Sequence, residues 1–218
     1  MTMTIYGLAF SPYVARVALA ASAKGMKYKI TMPEGGMKTP EMLKLNPFGK
    51  MPVLIDGATS LYESGVIIEY LDARGKAKPL IPKGAKAAAA ARLIAAVAAE
   101  YVQGAGLKIF RYWRNKTNDA NLLEEIKAEI AKGLDVLEQV MARGKYAGGS
   151  RFSIADTYVI PALYFAVEAG AQAGVADMLG KRKKLKAYWK SIRKDKSIQP
   201  ALAGMDNRFQ QMVAEARG

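Results

Sequence analysis

Residues 4–30, TIYGLAFSPYVARVALAASAKGMKYKI, contain two short apolar segments on either side of a stretch with helical spacing. Residues 4–8 and 28–32 are partly β-branched, which predicts two strands. Between them, apolar residues recur every three or four positions, starting after Ser11-Pro12 and stopping at Gly25. A strand, a helix and a second strand in this order favour parallel strands joined by a right-handed crossover.

Residues 45–71, LNPFGKMPVLIDGATSLYESGVIIEYL, predict the rest of a small mixed sheet. The apolar runs 52–55 and 59–61 flank Asp56-Gly57, which is typical of a hairpin. A short helical turn is expected before the turn cluster at 46–49, and a longer helix from Ser64 to about residue 74. The predicted order is βαβ-α-ββα.

The second part of the chain is predicted to be helical. Residues 75–84, GKAKPLIPKG, have the composition of a linker. Helices are expected at 85–116, 120–143, 153–170 and 180–196, with a weaker one at about 206–217. Gly104 and Gly106 are expected to interrupt the first. The fold class is therefore α/β plus all-α, with a domain at 1–76, a linker at 77–84 and an all-helical domain at 85–218.

The composition restricts the chemistry that is available. The 218 residues include no cysteine and no histidine, which excludes disulfides, a cysteine nucleophile, Cys/His metal sites and Ser-His-Asp catalysis. A net charge of +14 indicates anionic partners. No apolar run in the sequence approaches the roughly 20 residues of a membrane span, and residues 1–10 lack a secretory pattern. We therefore expect a cytoplasmic protein without a metal.

Residues 4–30, residues 45–71 and the segment 152–163, FSIADTYVIPAL, together resemble the cytosolic glutathione transferase family. The pattern is most similar to phi/theta-like, serine-type bacterial members. The resemblance implies a thioredoxin-like, glutathione-binding N-terminal domain and a helical domain that contributes a hydrophobic acceptor site. It also implies glutathione as cosubstrate, a homodimer and a role in detoxification.

The resemblance assigns Ser11 to stabilisation of the glutathione thiolate. A hydroxyl that donates a hydrogen bond favours the charged form of sulfur, and the positive end of a helix adds to the effect. The residues alone leave an ordinary Ser-Pro N-cap as the alternative. Tyr13 is the backup for the same role, whereas Tyr6 is expected to be a sheet residue.

The resemblance also predicts residues that hold the γ-glutamyl and cysteinyl parts of glutathione. The Met51 backbone would pair with the cysteinyl part beside Pro52, which is cis in the family. Ser64 is expected as a helix N-cap that holds the γ-glutamyl carboxylate, and Glu63 would orient the ammonium. The alternatives are a proline that opens a strand and a charged residue beside a cap.

Two lysines are predicted to face the glycine carboxylate of glutathione. They are Lys38 and Lys50, and solvated surface lysines are the alternative. Met37 stands where the family often has histidine, so on the loop before the short second helix Lys38 would have to act alone.

Apolar and aromatic residues on both sides of the linker are candidates for the acceptor wall, although residues at helical spacing are as readily core residues. They are Phe10, Tyr13, Tyr101, Ile109, Tyr112 and Trp113, with Phe209 as a further candidate. Ser153 and Asp156 fit a capping box that serves folding.

Residues 181–196, KRKKLKAYWKSIRKDK, form a basic run. Leu185, Tyr188, Trp189 and Ile192 recur at i, i+3, i+4 and i+7, which favours a helix that packs inward and exposes its cations. A patch that binds nucleic acid or an anionic membrane is the alternative.

The predicted activity is transfer of glutathione to a hydrophobic electrophile. Two alternatives stay open: a specialised glutathione-dependent lyase, etherase or peroxidase of the same fold, and a non-catalytic ligand-binding module. Chemistry that needs an enzyme cysteine is excluded, because the chain has none.

Overall fold

The computed structural model describes residues 2–217 and divides into two compact units. The first contains the chain up to Leu80 together with the residues from Asp195 onward, and the second is Ile81–Lys194. The predicted domain boundaries differ from these units at the C-terminal segment. The sequence predicts residues 195–217 as part of the helical domain, but in the structure they belong to the first unit.

The first unit is built on a four-stranded mixed sheet. Its elements are β1 (Met3–Tyr6), α1 (Pro12–Ala23), β2 (Tyr28–Thr31), α2 (Pro40–Leu45), β3 (Val53–Asp56), β4 (Thr59–Tyr62), α3 (Ser64–Arg74), a 3₁₀ turn (Lys196–Ile198) and α10 (Gln199–Arg217). The strand order is β2-β1-β3-β4, with β1 parallel to β2 and the other two pairs antiparallel. This is the predicted βαβ-α-ββα order of a thioredoxin-like domain.

Helix α10 belongs to the first unit because it packs on α1. The Phe10 and Phe209 rings stack with their centroids 5.6 Å apart. A Cβ on Gly204 would lie 3.2 Å from the Ala9 side chain, so the two segments approach closely. The predicted helix at 206–217 begins seven residues earlier, at Gln199.

A buried lysine ties the predicted linker to the first unit. The Lys24 ammonium donates to the Asp72 carboxylate at 2.8 Å and to the carbonyls of Ala77 and Lys78 at 3.1 and 3.3 Å. Asp72 also accepts from the Leu80 amide at 2.7 Å. A buried ammonium needs compensating acceptors. Because Lys24 finds them in Asp72 and in the backbone of residues 77 and 78, these contacts fix the path of the chain as far as Leu80.

The second unit is all-helical. Its elements are α4 (Ala85–Val97), a π-helical segment (Ala98–Gln103), α5 (Gly104–Arg114), α6 (Ala120–Val140), α7 (Ile154–Tyr164), a second π-helical segment (Phe165–Ala169), α8 (Gly170–Gln172) and α9 (Lys183–Ile192). The predicted interruption of the first helix is present, but it is the π-helical segment directly before Gly104. A Cβ on Gly106 would lie 3.1 Å from the Phe165 side chain, so that glycine permits a close helix contact.

One continuous helical stretch among the described residues, Ala85–Arg114, is long and apolar enough to cross a membrane by length and composition. The stretch contains charged residues at Lys86, Arg92, Glu100 and Lys108, so it is not the uninterrupted apolar run of about 20 residues whose absence the sequence indicated. Half of its most apolar window is buried inside the protein. Core helices of globular proteins meet the same criterion.

The predicted capping box begins α7. The fully buried Asp156 carboxylate accepts from the Ser153 amide at 2.9 Å and from its hydroxyl at 3.1 Å. It also accepts from the Ala147 amide at 2.8 Å and the Tyr188 hydroxyl at 3.0 Å. Burial raises the pKa of Asp156 to about 6, and these hydrogen bonds to the charged form limit the rise.

Candidate active site

A cavity of about 350 Å³ opens in the first unit, at the end of the sheet where β3 begins. Most of the predicted glutathione-binding residues line it. The lining residues are Tyr13, Asn46, Lys50, Met51, Pro52, Glu63 and Ser64. Residues that are up to 51 positions apart in the sequence therefore share one concave surface, as expected for a small-ligand site.

The Met51-Pro52 peptide bond is cis and lies at the start of β3. A Cβ on Gly7 would lie 3.0 Å from the Met51 Cβ and still closer to Val14, so the glycine lets these segments meet. The Leu8 amide contacts the Met51 sulfur at 3.4 Å. The loop that leads to α1 therefore packs on the same residue that lines the cavity.

Asn46 holds the loop before the cis bond, and the sequence interpretation missed it as a site residue. Its side-chain amide donates to the Lys50 carbonyl at 2.7 Å, and its Oδ1 accepts from the Phe48 amide at 3.1 Å. Asn46 is almost fully buried. Such Asx turns are the usual role of an Asn that precedes Pro, so the turn cluster was a usable signal.

Glu63 and Ser64 begin α3, but with a correction to the predicted cap. Glu63 occupies the cap position with a φ of 67°, and Ser64 is the first helical residue and is buried. Holding a non-glycine residue at this φ costs on the order of 1–3 kcal/mol, and residues strained in this way cluster at active sites and ligand clamps. The exposed Glu63 side chain and the helix N-terminus, which favours anions, both face this cavity.

Ser11 lies directly before α1, and its carbonyl accepts from the Ala15 amide at 2.8 Å. Its side chain is half-buried and, among the described residues, makes no capping hydrogen bond. An N-cap serine ordinarily bonds an N–H of the first turn. Its hydroxyl is therefore available to a bound group.

Tyr13, the backup, is placed differently from Ser11. Tyr13 lines the cavity, is 43% exposed and has the Arg16 guanidinium over its ring at 5.1 Å. Ser11 is outside the set of lining residues, although its amide donates at 2.9 Å to the carbonyl of Leu8, whose own amide contacts Met51.

Two family models match most of the chain. The model for the glutathione S-transferase N-terminal domain matches residues 5–79, and the model for the C-terminal domain matches residues 96–195. The chain belongs to the glutathione S-transferase family. It has the family's two parts, a mixed sheet with thioredoxin-like topology and a separate helical unit.

Known glutathione S-transferases are similar to this chain over nearly its whole length. Glutathione S-transferase 3 of Zea mays is 30% identical over 214 residues, which cover 93% of this chain and 94% of the relative. The solved structure of a glutathione S-transferase I bound with lactoylglutathione has a TM-score of 0.80 at 27% identity, covering 93% of this chain and 99% of the other. The maize glutathione S-transferase I in complex with an atrazine glutathione conjugate has a TM-score of 0.78 at 27% identity, covering 94% and 98%.

The two predicted lysines occupy different positions in this glutathione S-transferase. Lys50 lines the cavity, whereas Lys38 is exposed and does not belong to the lining. Met37 is buried in the core beside Met42 and Val53. The position where the family often has histidine is therefore a packing position in this chain.

The predicted acceptor residues separate into core and surface positions. Phe10, Ile109 and Phe209 are buried. None of the three has an open face for a ligand, which corrects their assignment as wall residues. Tyr101 is 62% exposed, and Trp113 packs against Phe110 with centroids 5.8 Å apart. The Tyr112 hydroxyl accepts from a backbone amide at 3.2 Å.

No group of three or more acidic side chains that could hold a metal ion occurs within residues 2–217. With neither histidine nor cysteine in the chain, the site has no metal-binding set of its own.

Proposed function

We propose that this glutathione transferase binds glutathione in the cavity of the first unit and transfers it to a hydrophobic electrophile. The observation that carries the proposal is the lining itself, because five residues predicted to bind glutathione meet at one cavity together with the backup catalytic residue, Tyr13. The five are Lys50, Met51, Pro52, Glu63 and Ser64.

The tripeptide has groups that match this lining. The Met51 backbone can pair with the cysteinyl part as an added strand would. Glu63 carries the negative charge that the γ-glutamyl ammonium needs, and the N-terminus of α3 at Ser64 suits the γ-glutamyl carboxylate. Lys50 supplies the cation for the glycine carboxylate, with Lys38 in a supporting role from outside the lining.

We further propose a serine-type mechanism. The Ser11 hydroxyl would donate to the glutathione sulfur and lower the pKa of a thiol that is normally near 8.5. The thiol proton passes to solvent, the thiolate sulfur forms a C–S bond with the electrophilic carbon, and the bond from that carbon to its leaving group breaks. The hydroxyl of Ser11, which makes no capping hydrogen bond among the described residues, supports this role; Tyr13 is the competing donor because it lines the cavity and Ser11 does not.

Glutathione titration by calorimetry tests the site. The variant Glu63→Gln should weaken glutathione binding about tenfold, because a hydrogen bond to a charged group contributes about 1.5–3 kcal/mol. The variant Glu125→Gln removes one exposed carboxylate from the helical unit and should stay within about twofold of the wild type. Equal affinities for all three proteins would refute the assignment of this cavity.

Turnover with a chloro-nitroaromatic acceptor tests the transferase activity. Glutathione binding without turnover of any electrophile would favour the ligand-binding module instead. The expected homodimer and cytoplasmic location remain predictions, to be tested by analytical ultracentrifugation and by cell fractionation. The relatives reported above include maize proteins and none from bacteria, so they give no support to the expected bacterial origin.

A further inference from the structure

The side chain of Met51 lies between the core of the first unit and the loop that leads to α1. It is half-buried and packs against a buried cluster of Met37, Met42 and Val53. Met42 belongs to α2 and Val53 to β3, so Met51 rests on regular elements of the unit. The core therefore restricts where the Met51 side chain can lie.

Met51 also contacts the loop of residues 7–11, which connects β1 to α1. The Leu8 amide donates a hydrogen bond to the Met51 sulfur at 3.4 Å. A Cβ on Gly7 would lie 3.0 Å from the Met51 Cβ and 3.4 Å from its sulfur. Gly7 has a φ of 149°, which residues with a side chain rarely adopt, so the glycine allows both this backbone conformation and the close approach of Met51.

Leu8 connects this contact to Ser11. Its amide donates to the Met51 sulfur, and its carbonyl accepts from the Ser11 amide at 2.9 Å. The Ser11 carbonyl in turn accepts from the Ala15 amide of α1 at 2.8 Å. A series of contacts therefore runs from the core through Met51 and Leu8 to Ser11, the residue proposed to stabilise the thiolate.

The chemistry of the side chain allows the hydrogen bond of Met51 to be separated from its packing. Methionine is unbranched, and its thioether sulfur is a weak hydrogen-bond acceptor. Leucine has nearly the same volume, but its side chain has no acceptor. Glutamine is also unbranched, and its amide oxygen accepts hydrogen bonds. Leucine at position 51 therefore keeps the packing, whereas glutamine keeps the hydrogen bond.

We propose that Met51 is a positioning residue for Ser11. The Met51 sulfur holds the Leu8 amide and thereby sets the distance between the Ser11 hydroxyl and the sulfur of glutathione. This distance matters because a hydrogen bond weakens steeply as its geometry departs from the optimum. The inference rests on the proposed function, in which the Met51 backbone pairs with the cysteinyl part and Ser11 donates to its sulfur.

Hydrogen exchange of the Leu8 amide, followed by NMR without glutathione, tests the contact itself. The Leu8 amide should exchange at least threefold faster in Met51→Leu than in the wild type, and within twofold of the wild type in Met51→Gln. The control is Met26→Leu, at a half-buried methionine of the same unit that does not line the glutathione cavity, and it should leave the exchange unchanged. Unchanged exchange in Met51→Leu would overturn the proposal.

The pKa of the bound thiol and the turnover rate test the effect on chemistry. Met51→Leu should raise the pKa of bound glutathione by about 0.5–1 unit and lower kcat at pH 6.5 by about 3- to 10-fold. The glutathione Kd should stay within twofold, because the backbone of residue 51 is retained. Met51→Gln should keep the thiol pKa within about 0.3 units of the wild type and kcat within twofold.

A role in packing alone predicts the opposite ranking of the two variants. Leucine would then preserve activity, whereas glutamine would place an amide against the apolar cluster and lower both stability and activity. Thermal unfolding of both variants gives the fraction of folded protein to which kcat is referred. Full activity in Met51→Leu combined with reduced activity in Met51→Gln would therefore refute the positioning role.

A double-mutant cycle shows whether Met51 acts through Ser11. In the Ser11→Ala background, Met51→Leu should change kcat by less than twofold, because the group that it positions is absent. An undiminished effect in that background would overturn the proposal and indicate that Met51 acts on another donor, such as Tyr13.

The failure of this inference can be distinguished from the failure of the proposed function. If the wild type does not bind glutathione in calorimetry, the proposed function is refuted, and the positioning role with it. If the wild type binds and turns over glutathione, but Met51→Leu has the wild-type thiol pKa and kcat, only the positioning role is refuted.

Discussion

Ser11 and Ser153 both precede a helix, yet the structure uses their side chains differently. The Ser153 hydroxyl donates to Asp156 at 3.1 Å inside a buried network. The Ser11 side chain is half-buried and, within residues 2–217, makes no capping hydrogen bond and has no acidic partner in the first turn of its helix. One serine has its partner inside the chain, whereas the other is available for a partner that a ligand brings.

This difference teaches that an N-cap signal in a sequence does not by itself identify a structural role. The cap of α7 is completed by Asp156 three residues later, whereas Pro12 and Tyr13 follow Ser11 and no acidic side chain occurs in the first turn of α1. Where the cap is incomplete, a hydroxyl and a positive helix end remain for a bound thiolate.

The largest expected effect comes from removing the centre of the completed cap. Asp156→Ala leaves two buried amides and two hydroxyls without their acceptor and should lower the free energy of unfolding by about 3 kcal/mol or more. Urea unfolding measures it. Asp119→Ala, at the exposed cap of α6, removes a single bond and should cost about 1 kcal/mol. Similar losses in both variants would contradict the role of the buried network.

Paired alanine substitutions test the comparison directly. Ser11→Ala should lower kcat/KM by about 10- to 100-fold and raise the pKa of bound glutathione by one to two units, since a hydrogen bond to a charged group contributes about 1.5–3 kcal/mol. Its unfolding free energy should change by less than about 0.5 kcal/mol.

Ser153→Ala should do the opposite of Ser11→Ala. It should lower the free energy of unfolding by about 1 kcal/mol and leave the kcat/KM of the folded protein unchanged. Steady-state kinetics and urea unfolding on both variants provide the readout. If Ser11→Ala keeps the wild-type rate and thiolate pKa, the role passes to Tyr13, and Tyr13→Phe should then lose activity.

The pH dependence of stability tests whether Asp156, at the cap of α7, takes up a proton in the folded protein. Burial raises the pKa of Asp156 to about 6 in the folded protein, above its ordinary value of 3.8. The folded state therefore binds the proton more tightly than the unfolded chain does between these values. The stability contributed by this group should rise as pH falls from about 7 toward 4, and decline as pH rises through 6.

Unfolding midpoints of the wild type and Asp156→Asn, compared at pH 5.0 and 7.5, isolate that contribution. The wild type should gain about 1 kcal/mol relative to Asp156→Asn at the lower pH. A difference that is independent of pH would show that the carboxylate stays ionised across this range.

The smallest expected effect concerns the cap of α3, which together with the start of α1 contributes to the site. Glu63→Gly relieves the positive φ and should raise stability by about 1 kcal/mol, while it removes the carboxylate and weakens glutathione binding. Thermal unfolding and calorimetry measure the two effects. A loss of stability would mean that Glu63 is held by contacts more than by strain.

Much of this fold could be predicted because its signals are local. The order of strands and helices up to Arg74 follows from periodicity and from turn residues such as Asp56-Gly57. The capping box at Ser153 and Asp156 was recognisable from its spacing. Most of the predicted glutathione-binding residues also meet at one cavity, since they flank the ends of neighbouring elements.

The sequence by itself determined the thioredoxin-like order of elements and the exclusion of cysteine and histidine chemistry, and its resemblance to the family predicted most residues that line the candidate site. Only the tertiary structure decided that α10 joins the first unit, that Lys24 is buried against the chain up to Leu80, and that Glu63 has a positive φ. It also decided that the Met51 sulfur contacts the Leu8 amide in the loop that leads to Ser11. The physical reason is range: periodicity and caps act over a few residues, whereas these features depend on contacts between segments that are distant in the chain.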